Sequence, residues 1–523
     1  MPGHVHVVAG DITKIGCDAW LLPTDGAFTI SGAFAEEIGL VSGQRLANQV
    51  WDGSRVIRLE QSLAGRPQVW LANVGRNPGD PRNEGSWYAD VIEPFARSAK
   101  EGLEPTGVPP LLAIPVLGTG DGGMAADKGT IYRELLPEML CVAESQEVDL
   151  VLVCWGRRSL SAAQRVRRDL VAGRSLKELW DMGPKAEVLV TEAQRLGELA
   201  RDRQMVLFLG AGASAGAGLP TWQRLLDDIA DEAKLSQDNL EALRRLDMRD
   251  QAAILEQRLT GSTLHEVLRD RLKATEYGLT QGLLASLPSR EAITTNYDTL
   301  FESACDAIEG DRPAVLPYES ARPEGRWLLK LHGCIARDES IVLTRSDYLD
   351  IPSRHGALFG LVQAMLMTRH MFFVGYSLSD EDFHQLIHEV RLARGENTTA
   401  EVPSGQVDRR LGTTLSLFDD PLFEDLWRED VRVVPIAERP VGEPTEADVA
   451  QAARWAQIFL DLAALESADL DAYLLDGTYA ELLDDNERKL AKALRDIDTE
   501  ALAGAHAGER VRQLLASFGA VDN

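Results

Sequence analysis

Four short stretches of this chain carry residue types that can handle a nucleotide, and each follows an apolar run. Gly210-Ala211-Gly212-Ala213-Ser214 follows Met205–Leu209, and Thr294-Thr295-Asn296-Tyr297-Asp298 follows Ala292–Thr294. His332-Gly333 follows Trp327–Leu331, and Gly375-Tyr376-Ser377 follows Met371–Val374. Small residues let the backbone approach an anion, and amide N–H groups at a strand-to-helix turn can bond a phosphate. An asparagine amide can orient a water or a hydroxyl. A histidine near neutrality can take a proton. Each stretch alone also has a plain structural reading: a tight connection, a turn asparagine, a buried histidine bonded to backbone. All four at strand ends would lie on one sheet edge, which is a site-forming pattern.

The elements that must hold these residues are strands alternating with amphipathic helices, the signature of an α/β fold. Glu187–Asp202 carries Leu189, Ala193, Leu196 and Leu199 or Ala200 on one helical face. A helix is expected from about Trp222, with further helices over Asp227–Arg258 and Thr263–Lys273. Residues 394–416 read as a polar surface loop.

The first 180 residues repeat the alternation. Val5–Val8, Ala19–Asp25, Gln68–Ala72, Leu111–Val116 and Asp149–Trp155 read as strands. Two strand ends stand out: Gly10-Asp11-Ile12-Thr13, and Gly118-Thr119-Gly120-Asp121-Gly122-Gly123, whose amides could wrap a diphosphate. The last segment reads as helical, opening on Thr445 with Asp448 three residues on, a capping-box-like start. The expected domains are 1–180, 187–440 and 441–523.

Composition narrows the function. The chain has 523 residues and a formal net charge of −28, so direct nucleic-acid or anionic-membrane binding is not expected. Arg157, Arg158, Arg165, Arg167 and Arg168 are expected to form a solvated helix face. Five scattered cysteines without CxxC spacing support neither a disulfide framework nor a zinc ribbon, and a reducing cytoplasm is expected. No signal peptide and no membrane-spanning stretch is visible, and no metal is expected.

The first segment resembles a macrodomain, the ADP-ribose-binding fold, through Gly10-Asp11-Ile12-Thr13 and the Gly-Thr-Gly loop at 118–120. The resemblance implies that Asp11, beside Ile12, accepts from an adenine amino group. It also implies that Gly118, Thr119, Gly120 and Gly122 hold phosphates. Leu22-Pro23-Thr24-Asp25 stands where hydrolytic macrodomains carry an Asn-Ala-Ala-Asn-like stretch, and the glycine-rich segment beyond is shortened to Ser31-Gly32-Ala33. Binding or sensing of an ADP-ribose-type ligand is therefore implied rather than its hydrolysis.

Residues 205–380 resemble the catalytic core of the sirtuin-like NAD-consuming family. The resemblance rests on Gly210–Ser214 with Gly218-Leu219-Pro220, on Thr294–Asp298, on His332-Gly333 and on Gly375-Tyr376-Ser377, in that order. It implies a Rossmann-like parallel-sheet domain with NAD as substrate. Gly210, Ala211, Gly212, Ala213 and Ser214 would fix the diphosphate, and Gly375 and Ser377 the distal ribose. Asp298 would hold the nicotinamide carboxamide, with Asn296 and His332 carrying the chemistry. Pro220, Thr221 and Trp222 replace part of the family's Pro-Asp-Phe-Arg, changing the wall near the nicotinamide. Only Cys334 lies between His332 and Gly375, so the four-cysteine zinc module of protein deacylases is absent. The chain thus resembles the bacterial sirtuin-like effectors of antiphage defence that destroy NAD. A homo-oligomer, triggered by a nucleotide signal or a protein partner, is the expectation. A non-enzymatic NAD or ADP-ribose sensor, and an ADP-ribosyltransferase or deacylase, are the alternatives.

Overall fold

The computed structural model describes all residues except 31, 37–50, 52, 60–65, 76–85, 120–123, 261–262, 338–340, 355, 396–409, 498–505 and 521–523. The chain forms two compact units. The first comprises Met1–Met182, Ala307–Gly310 and Thr445–Asn523; the second comprises Gly183–Asp306 and Asp311–Pro444. The C-terminal helical segment is thus part of the first unit.

The first unit is built on β1 (Val5–Ala9), β2 (Ala19–Thr24), β3 (Val56–Arg58), β4 (Gln68–Asn73), β5 (Leu111–Pro115) and β6 (Asp149–Cys154). They form one sheet in the order β1-β6-β5-β2-β4-β3, parallel except for β3 against β4. Every residue of β1 and β6 is buried, as expected of parallel strands covered on both faces.

The helix Glu446–Ser467 starts as the sequence indicated. The Thr445 hydroxyl accepts from the Asp448 amide at 3.2 Å, and the Asp448 carboxylate accepts from the Thr445 amide at 2.9 Å. Its last turns are buried almost all round, including the carboxylate of Asp461. That carboxylate accepts from the Val7 amide at 3.2 Å, the Trp180 indole at 2.8 Å and the Arg167 guanidinium, and its Oδ2 lies 2.9 Å from His4 Nε2. Arg167 therefore corrects the expectation of a solvated arginine face. It is 1% exposed, because a fully buried carboxylate needs a cation beside it. Arg165 and Arg158 reach Glu487 and Asp476 instead.

The helical reading of the last segment holds only in part over 470–496. Its first stretch, 470–475, is a set of turns, and beyond it a 3-10 segment, Gly477–Leu482, is followed by the α-helix Asp485–Arg495.

The second unit is a seven-stranded, wholly parallel sheet. Its strands are β7 (Met205–Leu209), β8 (Glu291–Thr294), β9 (Ala314–Leu316), β10 (Trp327–Lys330), β11 (His370–Val374), β12 (Gly412–Phe418) and β13 (Val431–Ala437). Their order is β13-β12-β11-β7-β8-β10-β9. From β7 the chain fills one side of the sheet and then, at β11, the other. The β7/β11 gap is the point where the winding reverses, and ligands of open α/β sheets bind outside the carboxyl ends there.

Two sequence expectations change. Of the loop expected over 394–416, Arg394 ends the helix Glu381–Arg394 and residues 412–416 are strand, while 396–409 lie outside the described residues. The long helix expected over Asp227–Arg258 is three shorter ones, Trp222–Glu232, Gln237–Leu243 and Met248–Arg258. Ser236 and Asp247 cap the second and third, so local capping interrupts a charge-rich run that reads as continuous helix. The helix Ala186–Arg201 buries Leu189, Ala193, Leu196 and Ala200 as the periodicity indicates.

Gly375 fixes how closely the two halves of this edge approach. Its φ is +65°, and a Cβ there would lie 2.0 Å from the Ala213 amide nitrogen. Gly218 has φ +78° but open space around it. Gly375→Ala should therefore cost about 2 kcal/mol or more, adding a clash to the left-handed strain, while Gly218→Ala should cost about 1 kcal/mol. Thermal melts of both variants check this; equal shifts would contradict it.

Candidate nucleotide site at the carboxyl edge of the second sheet

β7 ends at Leu209, and backbone hydrogen bonds close the turn that begins at Gly210. The Gly210 amide donates to Val374 O at 3.0 Å, Gly212 to Gly375 O at 2.9 Å, and Ala213 to Gly210 O at 3.0 Å. Of three amides expected to face a diphosphate, two thus hold the β7 and β11 loops together and the third closes the turn on itself. Ala211 and Gly212 are themselves exposed. Gly210 and Gly212 are required here because a Cβ on either would come within 3 Å of the Gly375 backbone.

β8 delivers Asn296 to the same turn. The Thr294 hydroxyl donates to Leu209 O at 3.0 Å and accepts from the Asn296 amide at 3.0 Å. The Asn296 side-chain nitrogen donates to Gly210 O at 3.0 Å and to Ser214 Oγ at 3.1 Å. Ser214 Oγ donates to Asp298 Oδ2 at 2.9 Å, and Asp298 Oδ1 accepts from the Leu300 amide at 3.0 Å. The structure therefore brings Gly210, Ser214, Asn296 and Asp298 into one hydrogen-bonded group. Ser214, Asn296 and Asp298 line a small cavity with Leu209, Ala213, Gln281 and Lys330. Asn296 Oδ1 is buried there without a partner. Buried acceptors are rarely left so.

Lys330 and Glu302 were missed in the sequence. Lys330 ends β10, is 1% exposed, and donates to the backbone oxygens of Asn296 and Asp298 while pairing with Glu302 at 2.8 Å. Burial works against its charge, but the Glu302 carboxylate holds its proton above the ordinary lysine range. Burial pushes the Glu302 carboxyl up, and Lys330 partly opposes that. A lysine closing an otherwise apolar strand was the available signal, since a buried cation must have partners.

His332 lies just past Lys330 and is 5% exposed. Its Nδ1 is 3.5 Å from the Tyr348 hydroxyl and its Nε2 is 3.8 Å from Asp380 Oδ2. Ser377 is exposed on the β11 loop, its hydroxyl 2.6 Å from that of Ser379. Pro220 and Trp222 are half-buried and Thr221 is exposed at the start of the helix Trp222–Glu232; the Trp222 ring lies 5.8 Å from that of Tyr297.

In the first unit, Asp11 and Ile12 follow β1. Asp11 Oδ1 accepts from the Thr13 amide at 2.9 Å and hydroxyl at 2.8 Å, and Ile12 is buried. Gly118 has φ +81°, with the Tyr88 ring 2.5 Å from where a Cβ would stand, and the Thr119 hydroxyl donates to Val116 O at 3.0 Å. Gly120 and Gly122 lie outside the described residues. Trp155, expected at the end of a strand, follows β6 beside the Gly10 turn and is 61% exposed.

The second unit is thus an α/β domain with a wholly parallel sheet, and the reversal point of its winding carries a glycine turn bonded to an asparagine whose side-chain oxygen is buried without a partner. Residues 290–413 match the family model of the SIR2-like domain. The NAD(+) hydrolase ThsA of Cytobacillus dafuensis is 28% identical over 223 residues, 41% of this chain and 43% of that protein. ThsA of Enterococcus faecium is 28% identical over 212 residues, 39% of this chain and 43% of its own length. Defense-associated sirtuin 2 of Bacillus subtilis is 27% identical over 231 residues, 42% of this chain and 22% of its length. The chain thus spans less than half the length of these relatives. Among solved structures, an Oceanobacillus iheyensis macrodomain mutant with ADPR covers 32% of this chain and 94% of its own at 16% identity and a TM-score of 0.26. A Sir2 enzyme structure covers 52% of this chain and 96% of its own at 14% identity and a TM-score of 0.27.

Proposed function

We propose that the chain is an NAD hydrolase that cleaves the nicotinamide–ribose bond, acting as a regulated effector of antiphage defence. The observation that carries this is the group of Ser214, Asn296 and Asp298, with its unpartnered Asn296 Oδ1, at the reversal point of a parallel sheet. The segment that matches the SIR2-like domain contains Asn296, Asp298, His332 and Ser377, and several similar proteins are named NAD hydrolases. The nicotinamide leaves as a neutral base from a cationic ring, so little acid assistance is required. The site must stabilise charge developing on the ribose and direct a nucleophile. Asn296 orients the hydroxyl or water, and His332 takes the proton. Ser377 holds the distal ribose, and the glycine turn lies against the diphosphate through its exposed Ala211–Gly212 face. Asp298 acts through Ser214, with the nicotinamide carboxamide within its reach. Release of nicotinamide from NAD by the full chain tests this reading.

The first unit, in this proposal, binds an ADP-ribose-type ligand at Asp11, Ile12, Gly118 and Thr119, with Gly120 and Gly122 completing the phosphate loop. An occupied first unit favours one state of a homo-oligomer in a reducing, cytoplasmic setting. Titration calorimetry of the full chain with ADP-ribose should show binding, and Asp11→Ala should weaken it about tenfold, the loss of one charge-assisted hydrogen bond. No heat from the unaltered chain would confine the first unit to packing or a protein contact.

A further inference from the structure

His332 stands between two oxygen groups of different character. Asp380 Oδ2 faces Nε2 at 3.8 Å, and the Tyr348 hydroxyl faces Nδ1 at 3.5 Å, with the two rings edge-on at 5.3 Å. The fold holds Asp380 in this place. It caps the helix Glu381–Arg394, its Oδ1 accepting from the Asp382 amide at 3.2 Å, and the Tyr376 hydroxyl also bonds this carboxylate. Two residues earlier, fully buried Leu378 holds φ +55°. Leucine adopts that conformation only when packing imposes it, and such strain gathers at functional turns.

The two partners differ in charge. Burial and the carboxylates of Asp380 and Asp382 push the Tyr348 hydroxyl above its ordinary range, so it remains neutral beside Nδ1. Asp382 is raised to about 6 by burial and by Asp380. Charged and titratable groups on the neighbouring elements include Asp380, Glu381 and Asp382 on one helix, Asp347 and Tyr348 on another, and Tyr376 after β11. Arg249 lies 5.3 Å over the Tyr348 ring and pairs with Asp247 and Glu381.

We infer that Asp380 is the positioning residue for His332: its carboxylate holds the ring as the Nε2–H tautomer and pairs with the imidazolium that forms at turnover. This rests on the reading of His332 as general base. In that step a substrate or water O–H bond breaks, its proton forms the Nδ1–H bond, and the oxygen keeps the electron pair for attack. The incoming hydroxyl takes the place of Tyr348 at Nδ1. A carboxylate at Nε2 then makes the ring a stronger base and fixes which nitrogen accepts, the role an orienting acid plays wherever histidine is the base.

The test is a histidine-selective carbon-13 NMR titration of the full chain, with His332→Ala identifying the signal, alongside nicotinamide release from NAD. Asp380→Asn should lower the His332 pKa by about one unit, tenfold in its dissociation constant. It should reduce kcat at least about tenfold with KM within about twofold, and Asp380→Glu should restore most of both. Asp382→Asn should shift His332 less. Unchanged His332 titration in Asp380→Asn, or an equal shift in Asp382→Asn, overturns the pairing. A shift in Asp380→Asn with no nicotinamide released by the unaltered chain supports the pairing and overturns hydrolysis, so the two failures are distinct.

Discussion

Asn296→Ala is expected to lower nicotinamide release by about 10²- to 10³-fold, the scale seen when a preorganised polar group is removed from a reaction site. The variant loses the bonds to Gly210 O and Ser214 Oγ, worth about 1–2 kcal/mol of stability together. Asn296→Asp separates chemistry from folding. It keeps the shape but sets a second carboxylate near Asp298, so activity should fall just as far, with the melting transition still cooperative. Chromatographic measurement of nicotinamide and a calorimetric melt read the two effects independently. Turnover within a few-fold of the unaltered chain in both variants would remove Asn296 from the site.

Asp461→Ala is expected to have the largest effect on stability, about 3–5 kcal/mol on the first unit. The buried guanidinium of Arg167 would lose its counter-charge, and the Trp180 indole and Val7 amide would lose their acceptor. Burial alone would raise the Asp461 pKa, but Arg167 and His4 hold it far below the carboxylate range. The stabilisation is therefore fully present above about pH 4 and fades only as pH falls through the depressed folded value. The double variant Asp461→Leu with Arg167→Met should recover much of the loss, since apolar replacement of a buried pair is often near neutral. Hydrogen exchange over residues 1–182 and 445–520 reads the first unit separately from the second. Protection in Asp461→Ala equal to the unaltered chain would show that the knot is not what ties the C-terminal helix to β1. His4, His6 and Asp461 also form a candidate metal group among the described residues. Arg167 already occupies that carboxylate, which disfavours a second cation.

The parts of this architecture that were legible in the sequence were those with a local signal. Met205–Leu209 reads as a buried parallel strand because all five residues are apolar. Thr445 and Asp448 announce a helix start because the cap is made within four residues. Gly210, Asn296 and His332 could be assigned to one edge because each follows such a strand. β12 was not legible, because Thr413, Thr414 and Ser416 look like a polar loop until β11 and β13 flank them. The buried role of Arg167 was hidden for a similar reason. Its partner Asp461 is 294 residues away, and no helical period links them. The closed amides of the glycine turn belong to the same class: the sequence shows the small residues, but only the β7/β11 pairing shows that Gly375 O takes the Gly212 proton. Lys330 lay in plain view at the end of an apolar strand, and its meaning depended on carbonyls of a loop about 30 residues earlier.

The most direct measurement is the product analysis of NAD incubated with the full chain, alone and with ADP-ribose-type nucleotides added, beside His332→Ala under the same conditions. The account predicts nicotinamide and ADP-ribose in equal amounts from the unaltered chain and none above background from His332→Ala, with both proteins folded. NAD bound by the unaltered chain and recovered intact under every condition, or equal nicotinamide release by His332→Ala, would contradict it.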